Sequence, residues 1–357
     1  MKKYMNKKTI ALLCALSMLA LALVACGPSG GEGDGAENSS APTSNEVESA
    51  DTGSGAEEAA DTGSSDGKLN VVATIFPEYD FARAISGGNA DVSMLIDPGA
   101  SVHSYDPSPG DLKTISGADV FIYVGGESDE WVDRILEGID TRNMKVVRLM
   151  DYVEGVEEEL KEGMEPEEEE EEEGAEDGEE EVEYDEHVWV SPGNALLLTD
   201  AIAGAMAEKD PAHKSEYEAN AAKYKAELEK VDAEIEETVK GAQRQKIVVA
   251  DKFPFRYFVD RYGLDYSAAF PGCSDQADAG AQTIAYLIDT VKEGKLPYIY
   301  HVELSNRNVA DAIAEQTGAE PLLLNSCENV TKEDFDSGVT YVDLMRVNAE
   351  NLKKGLN

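Results

Sequence analysis

The chain has 357 residues and a formal net charge of −43, with 42% hydrophobic and 29% charged residues. Much of the negative charge is concentrated in residues 27–67 and 151–186, so the rest of the sequence is acidic but ordinary. Nucleic-acid binding requires a basic face, and none is visible in the sequence.

The N-terminus has the pattern of a secretory leader. Four lysines within the first eight residues precede an apolar run over 9–25, which is followed by Cys26 and Gly27. The end of this run, LVACG, resembles the lipobox of bacterial lipoproteins. We expect residues 1–25 to be a signal peptide and Cys26 to carry lipid at the outer face of a membrane. A retained transmembrane anchor is the alternative, although the run is shorter than the ~20 residues that span a bilayer.

Residues 26–67 form the next region, in which the lipidated cysteine is followed by an acidic segment rich in Gly and Ser. This segment has almost nothing to bury, so we predict a disordered tether. The folded part of the chain is therefore expected to begin at residue 68.

From residue 68 the sequence alternates between strand-like and helical patterns. Continuous apolar runs predict strands over 69–75, 92–96, 119–124, 145–149, 246–250, 265–270, 297–302 and 320–324. Helical patterns predict helices over 78–85, 109–115, 130–136, 253–262, 276–293, 306–317 and 338–356. Apolar strands that alternate with helices indicate parallel sheets covered on both faces. We predict an α/β protein with two α/β lobes, over 68–190 and 244–357, and a cleft between them.

Residues 191–243 are predicted to be a long helix that joins the two lobes. Ser191 and Pro192 begin it, and Asp210 with Pro211 restarts or kinks it. An apolar stripe at spacings of three and four follows as far as Val239. A solvent-exposed coiled-coil arm is the alternative. The Glu-rich residues 154–186 interrupt the N-terminal lobe and are predicted to form a disordered surface loop.

Histidine is scarce in this chain, with four in all, and two of them lie in distinctive segments. His103 lies in PGASVHSYDPSP at 98–109, and His187 lies in DEHVWVSP at 185–192. Each stands beside a Ser/Asp-x-Pro turn that starts a helix. Neutral imidazole is the commonest side-chain ligand for zinc. We interpret both histidines as metal ligands, with an orienting role in their loops as the alternative.

The order of these motifs resembles that of bacterial ABC-transporter solute-binding proteins that take up zinc or manganese. After the two histidine segments come DPAH at 210–213, YEAN at 217–220, FRYF at 255–258, YGL at 262–264 and VELS at 302–305. The resemblance covers about residues 69–357. It implies a metal cleft between the lobes, in which His103 and His187 are the first two ligands.

The other two ligand positions that the resemblance implies depart from the family pattern. One falls on Lys252, whose ammonium has no lone pair to donate, although the adjacent Asp251 could substitute. The other falls near Asn325, whose neutral carbonyl is a weak ligand.

Further candidates for these two positions are His301, Glu303 and Glu328. His301 and Glu303 share one face of their predicted strand. Two histidines with one or two carboxylates suit Zn²⁺, and Mn²⁺ is the alternative. The alternatives are a core or surface side chain for His301, a helix cap at Asn306 for Glu303, and an ion pair with Lys252 or Arg256 for Asp251.

Cys273 and Cys327 are the two cysteines left after the leader and the lipidation site. An even pair outside the cytosol predicts a disulfide, and the resemblance implies the same pairing. Two free buried thiols, or a thiolate pair on a metal, are the alternatives.

The expected function is that of a lipid-anchored extracytoplasmic receptor, which passes a metal cation to the membrane permease of an ABC importer. We expect this receptor to be a monomer. Zinc would be carried as cargo and not used as a catalytic cofactor. The sequence has no catalytic triad, phosphate-binding loop or H-E-x-x-H helix, so we expect no enzymatic activity. A metal-dependent surface adhesin and a zinc hydrolase are the alternatives. The acidic insert is hypothesised to concentrate cations near the cleft, or else to be a solvated spacer.

Overall fold

The computed structural model describes residues 67–165, 183–274 and 278–357. The predicted signal peptide, Cys26 and the tether up to residue 66 lie outside these ranges, and so do residues 166–182 of the acidic insert. Among the helices of the described ranges, none is both long and apolar enough to cross a membrane.

The described residues contain eight β-strands, and the predicted strands overlap all of them. In chain order they are β1 (Leu69–Ala73), β2 (Ala90–Met94), β3 (Val120–Tyr123), β4 (Lys145–Arg148), β5 (Lys246–Lys252), β6 (Asp265–Phe270), β7 (Tyr298–His301) and β8 (Glu320–Leu323).

These strands form two four-stranded sheets, with the orders β2-β1-β3-β4 and β6-β5-β7-β8. Every pairing is parallel, and Val71 of β1 lies between Val92 of β2 and Val120 of β3. All four residues of β3 are buried, as is typical of a strand covered on both faces. The predicted α/β class with two parallel sheets is confirmed.

The same ranges contain ten α-helices, most of which connect consecutive strands. They are α1 (Phe76–Ser86), α2 (Pro109–Ser116), α3 (Glu130–Gly138), α4 (Pro192–Lys209), α5 (Lys214–Lys240), α6 (Arg256–Tyr262), α7 (Ala281–Gly294), α8 (Asn308–Thr317), α9 (Lys332–Ser337) and α10 (Tyr341–Gly355).

The region predicted as a linking helix, 191–243, forms two helices, α4 and α5, which separate at Asp210 and Pro211, where a restart or kink was predicted. The helical conformation is interrupted between α4 and α5. In this turn the Asp210 carboxylate lies 2.7 Å from His213 Nδ1 and accepts a hydrogen bond from the Tyr217 hydroxyl. The two helices pack along one another, and α4 also contacts β3 and β4 of the first sheet. Only α5 therefore leads from one sheet to the other.

The apolar stripe on α5 is buried and is not a solvent-exposed arm. Its buried side chains run from Tyr217 to Val239 and pack against α1, α4 and α10. They belong to one apolar core that extends from β1 in the first sheet to α10 beside the second. The first sheet is therefore joined through α5 to α10, which contacts β7 and β8 of the second sheet.

The C-terminal helix is shorter than predicted. The predicted helix over 338–356 begins only at Tyr341, and the short helix α9 precedes it. Gly338 ends α9 with φ of 80°, a left-handed conformation that favours glycine. The Thr340 side chain then caps α10 by accepting a hydrogen bond from Asp343 N.

Both ends of the acidic insert are folded, which the prediction of a disordered loop over 154–186 did not include. Glu157 and Tyr184 form an antiparallel bridge, and Glu158 N donates to Glu183 O. Glu165 N donates to Ala269 O at 2.8 Å. These backbone hydrogen bonds close the base of the insert. They also attach its first arm, residues 157–165, to the second lobe.

Candidate metal centre

The candidate site lies where the carboxyl ends of both sheets meet. In the first lobe, His103 lies beyond the end of β2, Ser128 follows β3, and His187 precedes α4. In the second lobe, Lys252 is the last residue of β5, and Glu328 follows β8. Open parallel sheets bind ligands at this edge, because their connecting loops converge there.

Hydrogen bonds between the lobes hold these loops together. The Asn329 side chain, next to Glu328, donates to the carbonyl oxygens of Asp97 and Ala100 in the His103 loop. The Trp189 indole, two residues after His187, donates to Ser326 O at 2.9 Å. The Glu328 loop is thus tied to the loops that carry both histidines.

His103 faces the cleft through one ring nitrogen and the protein through the other. Its Nε2 lies 2.8 Å from Glu328 Oε1. Its Nδ1 lies 2.6 Å from the Ser128 hydroxyl, which is in turn 2.5 Å from Glu186 Oε1. Ser128 and Glu186 therefore orient the imidazole so that Nε2 points into the cleft.

His187 is completely buried, and its ring centroid lies 5.6 Å from that of His103. Its Nε2 is 3.6 Å from Glu328 Oε1, and its Nδ1 is 3.3 Å from Asp185 Oδ1. Burial by itself lowers the pKa of His187, but the charges of Asp185 and Glu328 outweigh burial and raise it to about 10. A buried imidazole of this kind binds a metal by exchanging its proton for the cation.

Glu328 is the carboxylate on which both histidines converge. Its Oε1 faces the two Nε2 atoms, and its Oε2 lies 3.0 Å from Lys252 Nζ. Burial by itself raises the pKa of Glu328, but the charge of Lys252 and the contacts with His103 and His187 outweigh it and hold the pKa well below the usual range. Glu328 therefore carries a negative charge in the cleft.

Glu186 is a further candidate site residue, which the sequence motifs did not single out. Ligand atoms of His103, Glu186 and His187 lie within 4.8 Å of one another. Glu186 Oε2 accepts a hydrogen bond from Ser128 N at 3.0 Å. The sequence signal that could have identified Glu186 is its position directly before His187, because consecutive residues of one loop lie close together.

Three other ligand candidates, Asp251, His301 and Asn325, lie outside this cluster. Asp251 accepts hydrogen bonds from Val302 N and Lys252 N, and His301 Nδ1 lies 3.0 Å from Val302 O. The backbone N and the side-chain Nδ2 of Asn325 donate to Asn348 Oδ1 on α10, and the backbone carbonyl of Asn325 accepts from Asn348 Nδ2. The first two residues therefore support the strand ends, and Asn325 faces α10 and not the histidines.

Glu303 supports the loop that carries Glu328. Its carboxylate accepts hydrogen bonds from Ser326 N at 2.7 Å, from the Ser326 hydroxyl at 2.6 Å and from Glu328 N at 3.2 Å. It is half-buried, and its carboxylate oxygens are engaged by these donors, so it holds the loop in place.

The predicted disulfide between Cys273 and Cys327 is contradicted, because both residues are free thiols. Cys273 lies among the charges of Glu158, Asp185 and Glu186. Cys327 is completely buried near Glu303 and Asp80. The two side chains have different surroundings and do not meet, although both belong to segments that border the cleft.

Two parallel-sheet lobes with a polar cleft between them define the class of solute-binding proteins. The profile of the family described as "ZnuA: Zinc-uptake complex component A periplasmic" matches residues 71–355, and the chain therefore belongs to this family. The resemblance predicted from the motifs is confirmed. The family is described as part of an uptake complex and not as a family of enzymes.

Relatives with zinc in their names are about one-third identical to the chain over the aligned region. The zinc-binding lipoprotein AdcA of Streptococcus pneumoniae serotype 4 (strain ATCC BAA-334 / TIGR4) is 33% identical over 292 residues, which are 81% of this chain and 56% of AdcA. The chain thus spans little more than half the length of this relative. The high-affinity zinc uptake system protein ZnuA of Bacillus subtilis (strain 168) is 32% identical over 292 residues, which cover 81% and 88% of the two chains.

Solved structures share the fold. The Zn(II)-bound ZnuA-like domain of S. pneumoniae AdcA superimposes with a TM-score of 0.67 and 29% identity, and the match covers 81% of this chain and 99% of that domain. The laminin-binding protein Lmb of Streptococcus agalactiae, described as bifunctional with adhesin and metal-transporting activity, has a TM-score of 0.64 and 25% identity, over 81% and 100% of the two chains.

Proposed function

We propose that this chain is the metal receptor of an ABC importer and binds Zn²⁺ in the cleft between its lobes. The observation that carries the proposal is the convergence of His103, His187 and Glu328, whose Oε1 lies 2.8 Å and 3.6 Å from the two Nε2 atoms. These atom types are the ones that zinc prefers. Membership of the zinc-uptake family and relatives named for zinc binding also support it.

In this proposal, His103 and His187 bind the cation through Nε2, and Glu328 binds it through Oε1. Glu186 acts behind His103, because it reaches that ring through the Ser128 hydroxyl. Two imidazoles favour Zn²⁺ over Mn²⁺, for which oxygen ligands are better suited. The cation is cargo that leaves unchanged, and we propose no enzymatic activity.

The rest of the proposed role follows from the N-terminal sequence and from the family. Cys26 carries the lipid, and residues 27–67 tether the folded part at the outer face of the membrane. The receptor then delivers its cation, as a monomer, to the transmembrane permease of the importer. The description of AdcA as a lipoprotein supports this arrangement.

The proposal is tested by zinc titration of the chain purified from residue 27 onwards. We expect one tightly bound Zn²⁺ per chain, and His103→Ala and His187→Ala should each weaken binding by about 100-fold or more, since each removes one direct ligand. Glu328→Gln should also weaken binding because the carboxylate charge is lost. Calorimetry with a competing chelator measures all three effects.

His213→Ala is the matched control, because His213 lies between α4 and α5, away from the cleft, and should leave zinc affinity unchanged. Zinc binding that survives both His103→Ala and His187→Ala would contradict the proposed site.

A surface adhesin is the second candidate function, and the structural similarity to Lmb supports it. It is compatible with metal transport in the same chain. Binding of the purified chain to laminin, compared with and without zinc, distinguishes this role from transport alone.

A further inference from the structure

The Lys252 ammonium lies inside the candidate metal centre, next to the position proposed for the metal cation. It is the last residue of β5, and its side chain is only 19% exposed. Its Nζ lies 3.0 Å from Glu328 Oε2, on the same carboxylate whose other oxygen faces His103 and His187. The Glu328 carboxylate therefore contacts the ammonium through one oxygen and faces the proposed metal position through the other.

The surroundings of Lys252 leave it no equivalent anionic partner. Among the described residues, Glu328 is the acid within salt-bridge distance of its Nζ. The nearby Glu303 carboxylate is engaged by Ser326 and by Glu328 N. Asp251 is turned towards Val302 N and the Lys252 backbone. The ion pair with Glu328 is thus the contact that holds this ammonium in the cleft.

We propose that Lys252 is an affinity-limiting residue that competes with the metal cation for Glu328. A divalent cation bound at Oε1 experiences repulsion from the ammonium at Oε2, and the low dielectric of a buried site strengthens that repulsion. Glu328 also donates less electron density to a metal while its second oxygen pairs with Lys252.

Lys252 has a second effect when the metal leaves. A buried carboxylate with too few partners is unfavourable, so with only His103 and His187 opposite it, Glu328 would resist release of its cation more strongly. Lys252 keeps Glu328 paired in the metal-free protein and lowers the cost of release. The site is thereby suited to passing its metal on, in keeping with the proposed receptor function on which this inference rests.

The inference is tested by comparing zinc affinity and zinc release in Lys252 variants of the chain purified from residue 27 onwards. Lys252→Met removes the charge but keeps the length of the side chain. It should bind zinc at least about tenfold more tightly, a change equivalent to 1.4 kcal/mol, and should release zinc to a chelator more slowly in stopped-flow experiments. Lys252→Arg keeps the charge and should behave like the wild type. Lys252→Gln provides a second neutral variant if Lys252→Met does not fold.

A double-mutant cycle separates this role from a purely structural one. In the Glu328→Gln background, Lys252→Met should strengthen zinc binding by less than in the native background, because the competition for the carboxylate is gone and only the direct repulsion between the two cations remains. Unchanged or weaker zinc binding by both neutral variants in the native background overturns the inference, and so does an undiminished effect in the Glu328→Gln background. If the wild type binds no zinc, or binds it independently of His103, the proposed function fails instead.

Discussion

At the residue scale, the orientation of His103 depends on side chains that do not face the cleft. The Ser128 hydroxyl lies 2.6 Å from His103 Nδ1, and Glu186 in turn accepts hydrogen bonds from the hydroxyl and the backbone N of Ser128. A partner on the second ring nitrogen fixes which nitrogen is available to a metal. Ser128 and Glu186 therefore prepare Nε2 of His103 before the cation arrives.

Removal of the Ser128 hydroxyl should weaken zinc binding without removing a ligand. Ser128→Ala leaves Nδ1 of His103 without its partner, and we expect a loss of about 10-fold to 100-fold in zinc affinity. Ser104→Ala is the control, because Ser104 is exposed and its hydroxyl donates to the Ser101 hydroxyl. Equal zinc affinity of the two variants in a chelator competition would show that Ser128 does not orient the ring.

Asp129, next to Ser128, predicts a dependence of stability on pH. Its carboxylate is buried and accepts hydrogen bonds from Val124 N and Gly125 N. Burial raises its pKa to about 6, and the charge of Glu186 adds to the effect. Between about pH 4 and pH 6 the folded protein therefore retains a proton that the unfolded chain releases, so this residue destabilises the fold as pH rises.

Asp129→Asn removes this titration. The free energy of unfolding of the variant, relative to that of the wild type, should increase by up to about 1.4 kcal/mol per pH unit between pH 4 and pH 6. Urea unfolding of the metal-free proteins at several pH values measures this difference, with the exposed Asp91→Asn as the control. Parallel stability curves for wild type and Asp129→Asn would contradict the raised pKa.

At the element scale, the acidic insert is anchored at both ends. Its base is closed by the bridge between Glu157 and Tyr184. Glu165 marks the end of its first arm, where the carboxylate accepts hydrogen bonds from Gly280 N and from the Thr283 hydroxyl at the start of α7. Met164 is buried beside it. The residues between these anchors can therefore be removed without opening the base.

Deletion of residues 166–182 tests whether the insert gathers cations. If it does, the deletion should reduce the number of weakly bound cations per chain and leave the affinity of the cleft unchanged, because carboxylates bind Ca²⁺, Mn²⁺ and Zn²⁺ only weakly when they are not arranged as a site. Equilibrium dialysis at several metal concentrations separates the weak sites from the tight one. A Gly/Ser segment of equal length is the control, and unchanged stoichiometry after the deletion would identify the insert as a spacer.

At the scale of the whole molecule, one buried carboxylate joins three helices on both sides of the cleft. Asp80 on α1 accepts hydrogen bonds from the Tyr224 hydroxyl on α5 and from Tyr341 N at the start of α10. It also pairs with Arg83, which donates to Val339 O. The first lobe is thus attached to the linking helix and to the C-terminal helix through the same side chain.

Loss of this carboxylate should destabilise the whole protein. Asp80→Ala leaves buried donors without a partner, and we expect the free energy of unfolding to fall by about 3 kcal/mol or more. Asp91→Ala, which removes an exposed ion pair with Lys68, should cost less than about 1 kcal/mol. Urea unfolding monitored by tryptophan fluorescence compares the two. Similar losses in both variants would show that Asp80 has no special role.

The general architecture was predictable because local sequence carries it. Apolar runs of strand length alternate with helical patterns. A continuous apolar run such as Val120–Tyr123 predicts a parallel strand that is buried on both faces, as observed. The helix boundaries were less accurate where a turn residue decides them, as Gly338 does before α10. The packing of α4 on α5 could not be read from the apolar stripe, since the stripe does not identify its partner.

By itself, the sequence determined the α/β class and singled out His103 and His187, because contiguous motifs define both. Only the tertiary structure decided that Glu328, and not Asn325, faces the histidines. Between these two residues Cys327 has φ of 62°, and the turn directs Asn325 to Asn348 on α10 and Glu328 into the cleft. The position of Lys252 opposite Glu328 and the separation of the two thiols were decided in the same way. Side-chain directions in loops depend on backbone turns and distant partners, which spacing along the chain does not encode.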